Sequence, residues 1–66
     1  MSDFKENLDK EIEELQDKYD SISEFINKSK IYEAMFLDEQ YLLSEQRGLM
    51  NKYLTILKQR KRSIED

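Results

Sequence analysis

Between two stretches that keep helical time lies "NKSKIYEAMFL", residues 27–37, which keeps none. If this segment continued a helix, the chain would be one long rod. If it is a connection, the chain folds back on itself. The residues favour the connection. Asn27 suits the left-handed conformation that ends a helix, and Ser29 can cap a short following turn. The segment is apolar for a connection, with Ile31, Tyr32, Ala34, Met35, Phe36 and Leu37. A solvated loop does not look like this, so the reading is a short helix or compact turn packed on something.

Upstream, residues 3–27 read as helix one. Leu8, Ile12, Leu15, Tyr19, Ile22 and Ile26 are spaced 4, 3, 4, 3, 4, an unbroken heptad seam widened by Phe4 and Phe25. Asp3 reads as an N-cap, with Glu6 completing a capping-box pair. Glu6–Lys10, Glu14–Lys18 and Glu24–Lys28 are i,i+4 pairs in the favourable order, each worth about 0.3 kcal/mol. The acidic face reads as solvated surface. Downstream, Asp38 opens helix two, residues 38–62, with Leu37 and Leu42 as a hydrophobic staple. Its seam reads Leu43, Gln46, Met50, Tyr53, Leu57, widened by Leu42, Leu49, Leu54 and Ile56, with fraying through "RKRSIED".

Two helices of about 25 residues are each roughly 37 Å long. Joined by residues 28–37, they fold back as an antiparallel hairpin. The fold class is therefore all-α, one domain spanning residues 1–66. A chain of this length is marginal as a monomer, and it has no Cys for a disulfide or thiolate metal site. Each apolar stripe is also wider than a two-helix contact hides, and the connection adds Met35 and Phe36. The leftover apolar surface predicts a homo-oligomer.

Other classes are excluded or disfavoured. No apolar run approaches the roughly 18 residues that span a membrane, and "MSDFKENLDKE" is charged and lacks the apolar core of a secretory signal. The expectation is a cytoplasmic protein. With no His, the commonest general base and metal ligand are absent, and no Gly-rich phosphate loop or metal-ligand spacing appears. The chain reads as a non-enzyme without metal or cofactor. Net charge is −4, with 13 acids and 5 bases in residues 1–45 but 6 bases and 2 acids in residues 46–66. That balance opposes general binding to DNA or RNA polymers, though not a local pocket for a small anion.

Two residues stand out in the best-patterned segment. Gln46 falls on the reading's seam, where one polar residue can fix register or mark a subunit junction that also binds a polar ligand. Gly48, the chain's sole glycine, costs about 1 kcal/mol against Ala in a helix. It is either incidental or marks close approach of another backbone or a ligand. Gln46, Gly48, Leu49, Met50 and Tyr53 are the candidate oligomer interface. Lys28, Lys30 and Arg47 are the bases nearest the connection and the start of helix two, where an anion is favoured. Tyr32 and Tyr41 can offer an apolar face with one wet edge, although all four tyrosines read first as packing residues. The basic tail, Lys58, Arg60, Lys61 and Arg62, suits a solvated helix C-terminus.

A resemblance joins these features: Leu15, Lys18, Phe25, Ile26, Ser29, Tyr32, Asp38, Leu42, Leu43, Gln46, Leu49, Met50, Tyr53, Leu54, Ile56, Leu57 and Arg60, in that order and spacing. The chain resembles very small phage-encoded helical-hairpin proteins similar to the anti-CBASS type 2 sponges, whose second helix carries a Gln, then a Gly, then an apolar–Met pair. "QRGLM", residues 46–50, fits that pattern. The resemblance covers roughly residues 8–60. It implies a compact hexamer that binds cyclic di- or trinucleotide immune signals without cleaving them, and so silences a bacterial defence effector. It also implies a ligand-binding Lys near the start of the first long helix, matched here by Lys5 or Lys10. Leu42 and Leu43 stand where those sponges carry an Arg-Thr element ahead of the Gln. The function expected is a sponge. The alternative is a coiled-coil structural or adaptor protein that binds another protein.

Overall fold

A computed structural model describes residues 2–65 as three helices: α1 (Ser2–Lys28), α2 (Lys30–Ala34) and α3 (Leu37–Glu65). Among these residues there is no strand. At 1.5 Å per residue, α1 and α3 are each about 40 Å long. The molecule measures 47 × 14 × 13 Å, the size of two helices laid side by side.

The reversal is built from local hydrogen bonds. Ser29 has an extended backbone (φ −81°, ψ 131°) that stops α1, while its N–H still donates to the Phe25 carbonyl at 3.1 Å. Its hydroxyl then accepts from the N–H groups of Ile31 (3.1 Å) and Tyr32 (3.4 Å), capping α2 as expected. Asn27 does not end α1 in a left-handed conformation. Among the described residues no non-glycine residue has a positive φ, and the helix continues to Lys28. The carbonyls that α2 leaves open are covered by Gln40, a residue the periodicity does not single out. Gln40 Nε2 donates to the carbonyl of Tyr32 at 2.6 Å and to that of Glu33 at 3.4 Å. The Tyr32 hydroxyl returns a bond to the Gln40 carbonyl at 3.4 Å. This clasp fixes the connection onto the first turns of α3. Tyr32 also packs edge-on against Phe25, ring centres 6.1 Å apart at 77°, which ties α2 to α1.

The helix starts differ by one residue from the sequence reading. Asp3 and Asp38 lie inside the first turns of α1 and α3 rather than at cap positions, where a carboxylate still favours the positive end of the helix dipole. Leu37 and Leu42 are 80% and 63% exposed, so they form no staple within the protomer.

The α1 seam is as predicted: Leu8 is buried, and Ile12, Leu15, Tyr19, Ile22 and Ile26 are half-buried. The α3 seam is not. The residues turned toward α1 are Gln40, Leu43, Arg47, Met50, Leu54, Leu57 and Lys61, all buried or half-buried and spaced 3, 4, 3, 4, 3, 4. Gln46 is exposed and Tyr53 is 47% exposed. The polar residue in the middle of the internal seam is therefore Arg47, with Gln40 and Lys61 at its ends. The fully closed core is small: Leu8, Leu54 and Leu57.

The surface is correspondingly large, 5468 Å², against about 4,450 Å² expected for a compact chain of this mass. The two edges of the hairpin differ in kind. One edge is polar: Lys61 pairs with Asp9 at 2.8 Å, and Gln16 accepts from Lys58 at 3.5 Å and donates to Asp20 at 3.0 Å. The other edge carries a second heptad stripe on α3, Leu42, Gln46, Leu49, Tyr53, Ile56 and Arg60, spaced 4, 3, 4, 3, 4. All six are exposed. Beside it on α1 run Phe4, Glu11, Lys18 and Phe25, each seven residues from the next.

Candidate functional site

The apolar edge holds the clefts. Near the connection, Asp17, Lys18, Ser21, Ile22 and Phe25 of α1 face Gln46 and Met50 of α3 across an open cleft of about 500 Å³. Such a volume is within the range of small-molecule sites. It adjoins a second cleft of about 460 Å³ lined by Ser21, Glu24, Phe25, Lys28 and Ser29. A third, about 270 Å³, lies across Gln46 and is formed by Met35, Glu39, Leu42 and Leu43. Phe25 and Gln46 thus link three neighbouring clefts. At the far end of the same edge, Phe4 sits against Ile56, Gln59, Arg60, Ser63 and Ile64.

The first two clefts together offer a small set of chemistries. Phe25 presents an aromatic face suited to stacking, Gln46 an amide with donors and an acceptor, Ser21 a hydroxyl, and Lys18 and Lys28 ammonium groups. Their charges cancel, since Asp17 and Glu24 line the same surfaces. A multiply charged anion would therefore need further cations from outside this protomer. Among the described residues no cluster of three or more acidic side chains is placed to hold a metal ion.

The fold gathers some of the sequence-predicted ligand residues and separates others. Lys28, Lys30, Tyr32 and Tyr41 lie around the connection. Lys28 lines a cleft, Lys30 and Tyr41 are exposed, and Tyr32 is half-buried in the clasp. Arg47 is half-buried on the internal seam. Lys5 and Lys10 are exposed near the opposite end of the hairpin; the 23 residues from Lys5 to Lys28 span about 35 Å of helix. One copy cannot bring Lys5 and Lys28 to the same small ligand. The clefts also bring in Lys18, Ser21 and Phe25, which the sequence reading does not place among the candidate ligand residues. The signal that could have found them is the seven-residue interval linking Phe4, Glu11, Lys18 and Phe25.

Of the candidate interface residues, Gln46, Leu49 and Tyr53 lie on the exposed stripe, and Met50 turns toward α1. Gly48 lies off both stripes, and a Cβ there would meet nothing within 4 Å. The protomer gives no reason for a glycine, so Gly48→Ala is expected to stabilise it by about 1 kcal/mol. Thermal melting at low protein concentration checks this; a loss of stability would contradict it.

The Tyr53 hydroxyl donates to the Glu11 carboxylate, joining α3 to α1 across the edge. That bond, then the repulsion a phenolate would feel from Glu11, raises the Tyr53 pKa above its ordinary value near 10; a smaller opposing effect comes from Arg60. A raised pKa means that the neutral phenol is favoured by folding. Its contribution is fully present below pH about 10 and is lost as pH rises through the folded-state value. Tyr53→Phe should therefore flatten the decline in melting temperature above pH 10. An unchanged decline would show that the bond contributes nothing.

A family model named Sequestin matches residues 2–62, nearly the whole hairpin with both helices and the clasp. The chain belongs to the Sequestin family. The name Sequestin denotes sequestration. The match takes in the whole linked-cleft region and the exposed stripe of this Sequestin member. No curated protein and no solved structure matches the chain. No helix of the described residues is long and apolar enough to cross a membrane.

Proposed function

We propose that this protein is a phage anti-defence sponge that binds cyclic oligonucleotide immune signals in the cytoplasm of the infected cell and holds them without cleavage. The observation that carries the reading is the set of linked clefts in a member of the Sequestin family. Phe25 is offered to a base, Gln46 and Ser21 to polar edges, and Lys18 and Lys28 to phosphates. A sequestering protein needs affinity and copy number rather than catalytic groups, and the cleft residues fit that requirement. The neutral charge balance of the clefts supports pockets shared between copies of a homo-oligomer, where Lys5, Lys10, Lys30, Tyr41 and Arg47 of other copies would add cations and aromatic faces.

Thermal melting against a panel of cyclic di- and trinucleotides tests this. A ligand at 100 times its dissociation constant adds about 2.7 kcal/mol, roughly 10–20 °C in a domain of this size. Phe25→Ala and Lys18→Ala should reduce the shift, and the nucleotide recovered after denaturation should be intact. If no cyclic nucleotide moves the transition, the proposal fails. The exposed heptad stripe on α3 favours a second reading, a coiled-coil adaptor whose stripe takes a helix of another protein. An adaptor would ignore the nucleotide panel and be stabilised by that protein.

A further inference from the structure

We infer that two copies of this chain pack along their apolar edges with α3 antiparallel to α3. The inference rests on the proposed assembly of copies but not on the identity of any ligand. Three observations carry it. The first is the stripe Leu42, Gln46, Leu49, Tyr53, Ile56, Arg60. Its alternating intervals of four and three residues are what a second helix requires, and the protomer's own α1 is already packed on the neighbouring stripe. The second is area. A face of 47 by 13 Å presents roughly 600 Å² per copy, and about 1,200 Å² for a pair is at the lower bound of a specific interface. The face would cover somewhat more than half of the roughly 1,000 Å² by which each free hairpin exceeds a compact chain of its mass.

The third observation selects the partner and its direction. Residues 37–50 of α3 carry three acids and one base, whereas residues 51–65 carry five bases and one acid. Antiparallel packing sets the acidic half of each copy beside the basic half of the other, and parallel packing sets like against like. Lys58 and Lys61 lie on the polar edge, so on the apolar edge itself a second antiparallel copy is complementary in apolar pattern and, through Arg60 set beside the acidic start of the other α3, in charge. The arrangement has a consequence for the split site. The end bearing Phe4, Lys5 and Arg60 in one copy comes beside the connection of the other, where Lys28 and Tyr41 lie. Groups that one copy holds about 35 Å apart along its helices then share one neighbourhood, twice per pair.

The chain has no cysteine, so single spin labels can be placed cleanly on the full-length protein. With a label at Ser63→Cys, two copies crossing near residue 51 place the labels about 36 Å apart along the axis, whereas parallel copies place them side by side. A label at Asn51→Cys should give a short distance and Leu49→Glu should abolish both. Sedimentation equilibrium on the unlabelled protein accompanies the measurement. A monomer overturns the inference, as does an oligomer whose Ser63 labels lie within about two helix diameters, roughly 20 Å. Survival of the long distance in Leu49→Glu overturns the assignment of the contact to this edge. None of these results depends on the nucleotide panel, so failure of the pairing and failure of the sponge reading are separately visible.

Discussion

Leu57→Ala is expected to leave most of the protein unfolded at 25 °C in dilute solution. Leu57 is fully buried, and among the described residues only Leu8 and Leu54, each 3% exposed, accompany it in the closed core. Truncating a buried leucine costs about 2–5 kcal/mol, because the lost transfer energy is joined by the energy of the cavity. A single core in a chain this short rarely supplies more than about 3–5 kcal/mol. The change is thus comparable to the whole stability of the hairpin. Far-ultraviolet circular dichroism in a urea series checks it, with Ile64→Ala as control, since Ile64 is 42% exposed and its truncation removes little burial. A loss below about 1 kcal/mol for Leu57→Ala would mean that the protomer is held together elsewhere. Raising the protein concentration should recover helicity in the variant, because assembly adds burial that the isolated hairpin lacks.

The two helices and the reversal were legible because their signals are local. The α1 seam has no competing register, and Ser29 sits where a cap must sit if the following turn is helical. The α3 seam was misread for a specific physical reason. Two apolar heptads run one residue out of step along α3: Leu43, Arg47, Met50, Leu54, Leu57 inside and Leu42, Gln46, Leu49, Tyr53, Ile56 outside. The seam read from the sequence took Leu43, Met50 and Leu57 from the first and Gln46 and Tyr53 from the second. Hydrophobicity alone cannot separate them, since both stripes are apolar and adjacent on the helix surface. Packing against α1 separates them. The Gln40–Tyr32 clasp was illegible for another reason: it pairs a side-chain amide with backbone carbonyls seven and eight residues away, and no periodicity encodes that. The clefts depend on which edge of α1 meets which edge of α3, so Phe25 and Gln46 could be named from the sequence but not placed together.

The corrected seam makes Arg47 the residue whose replacement is most informative. It lies between Leu43 and Met50 on the face turned toward α1, half-buried, where the heptad pattern calls for an apolar side chain. An arginine there can lay its stem along the seam and keep its guanidinium at the wet margin, but it desolvates a charge and breaks the apolar run from Leu43 to Leu57. Arg47→Leu is expected to stabilise the hairpin by about 1–2 kcal/mol, which in a domain of this size raises the melting temperature by roughly 4–16 °C. If the proposed sponge uses the Arg47 guanidinium on a phosphate, the same variant should bind a cyclic nucleotide at least about tenfold more weakly, the equivalent of roughly 1.4 kcal/mol. Melting with and without nucleotide reads both effects in one experiment. A gain in stability with binding unchanged would remove Arg47 from the ligand site. A loss of stability would show that its stem and head make contacts worth more than an apolar seam residue. A gain in stability coupled to a loss of binding would mean that the hairpin keeps a charge in its own seam because the ligand requires it there.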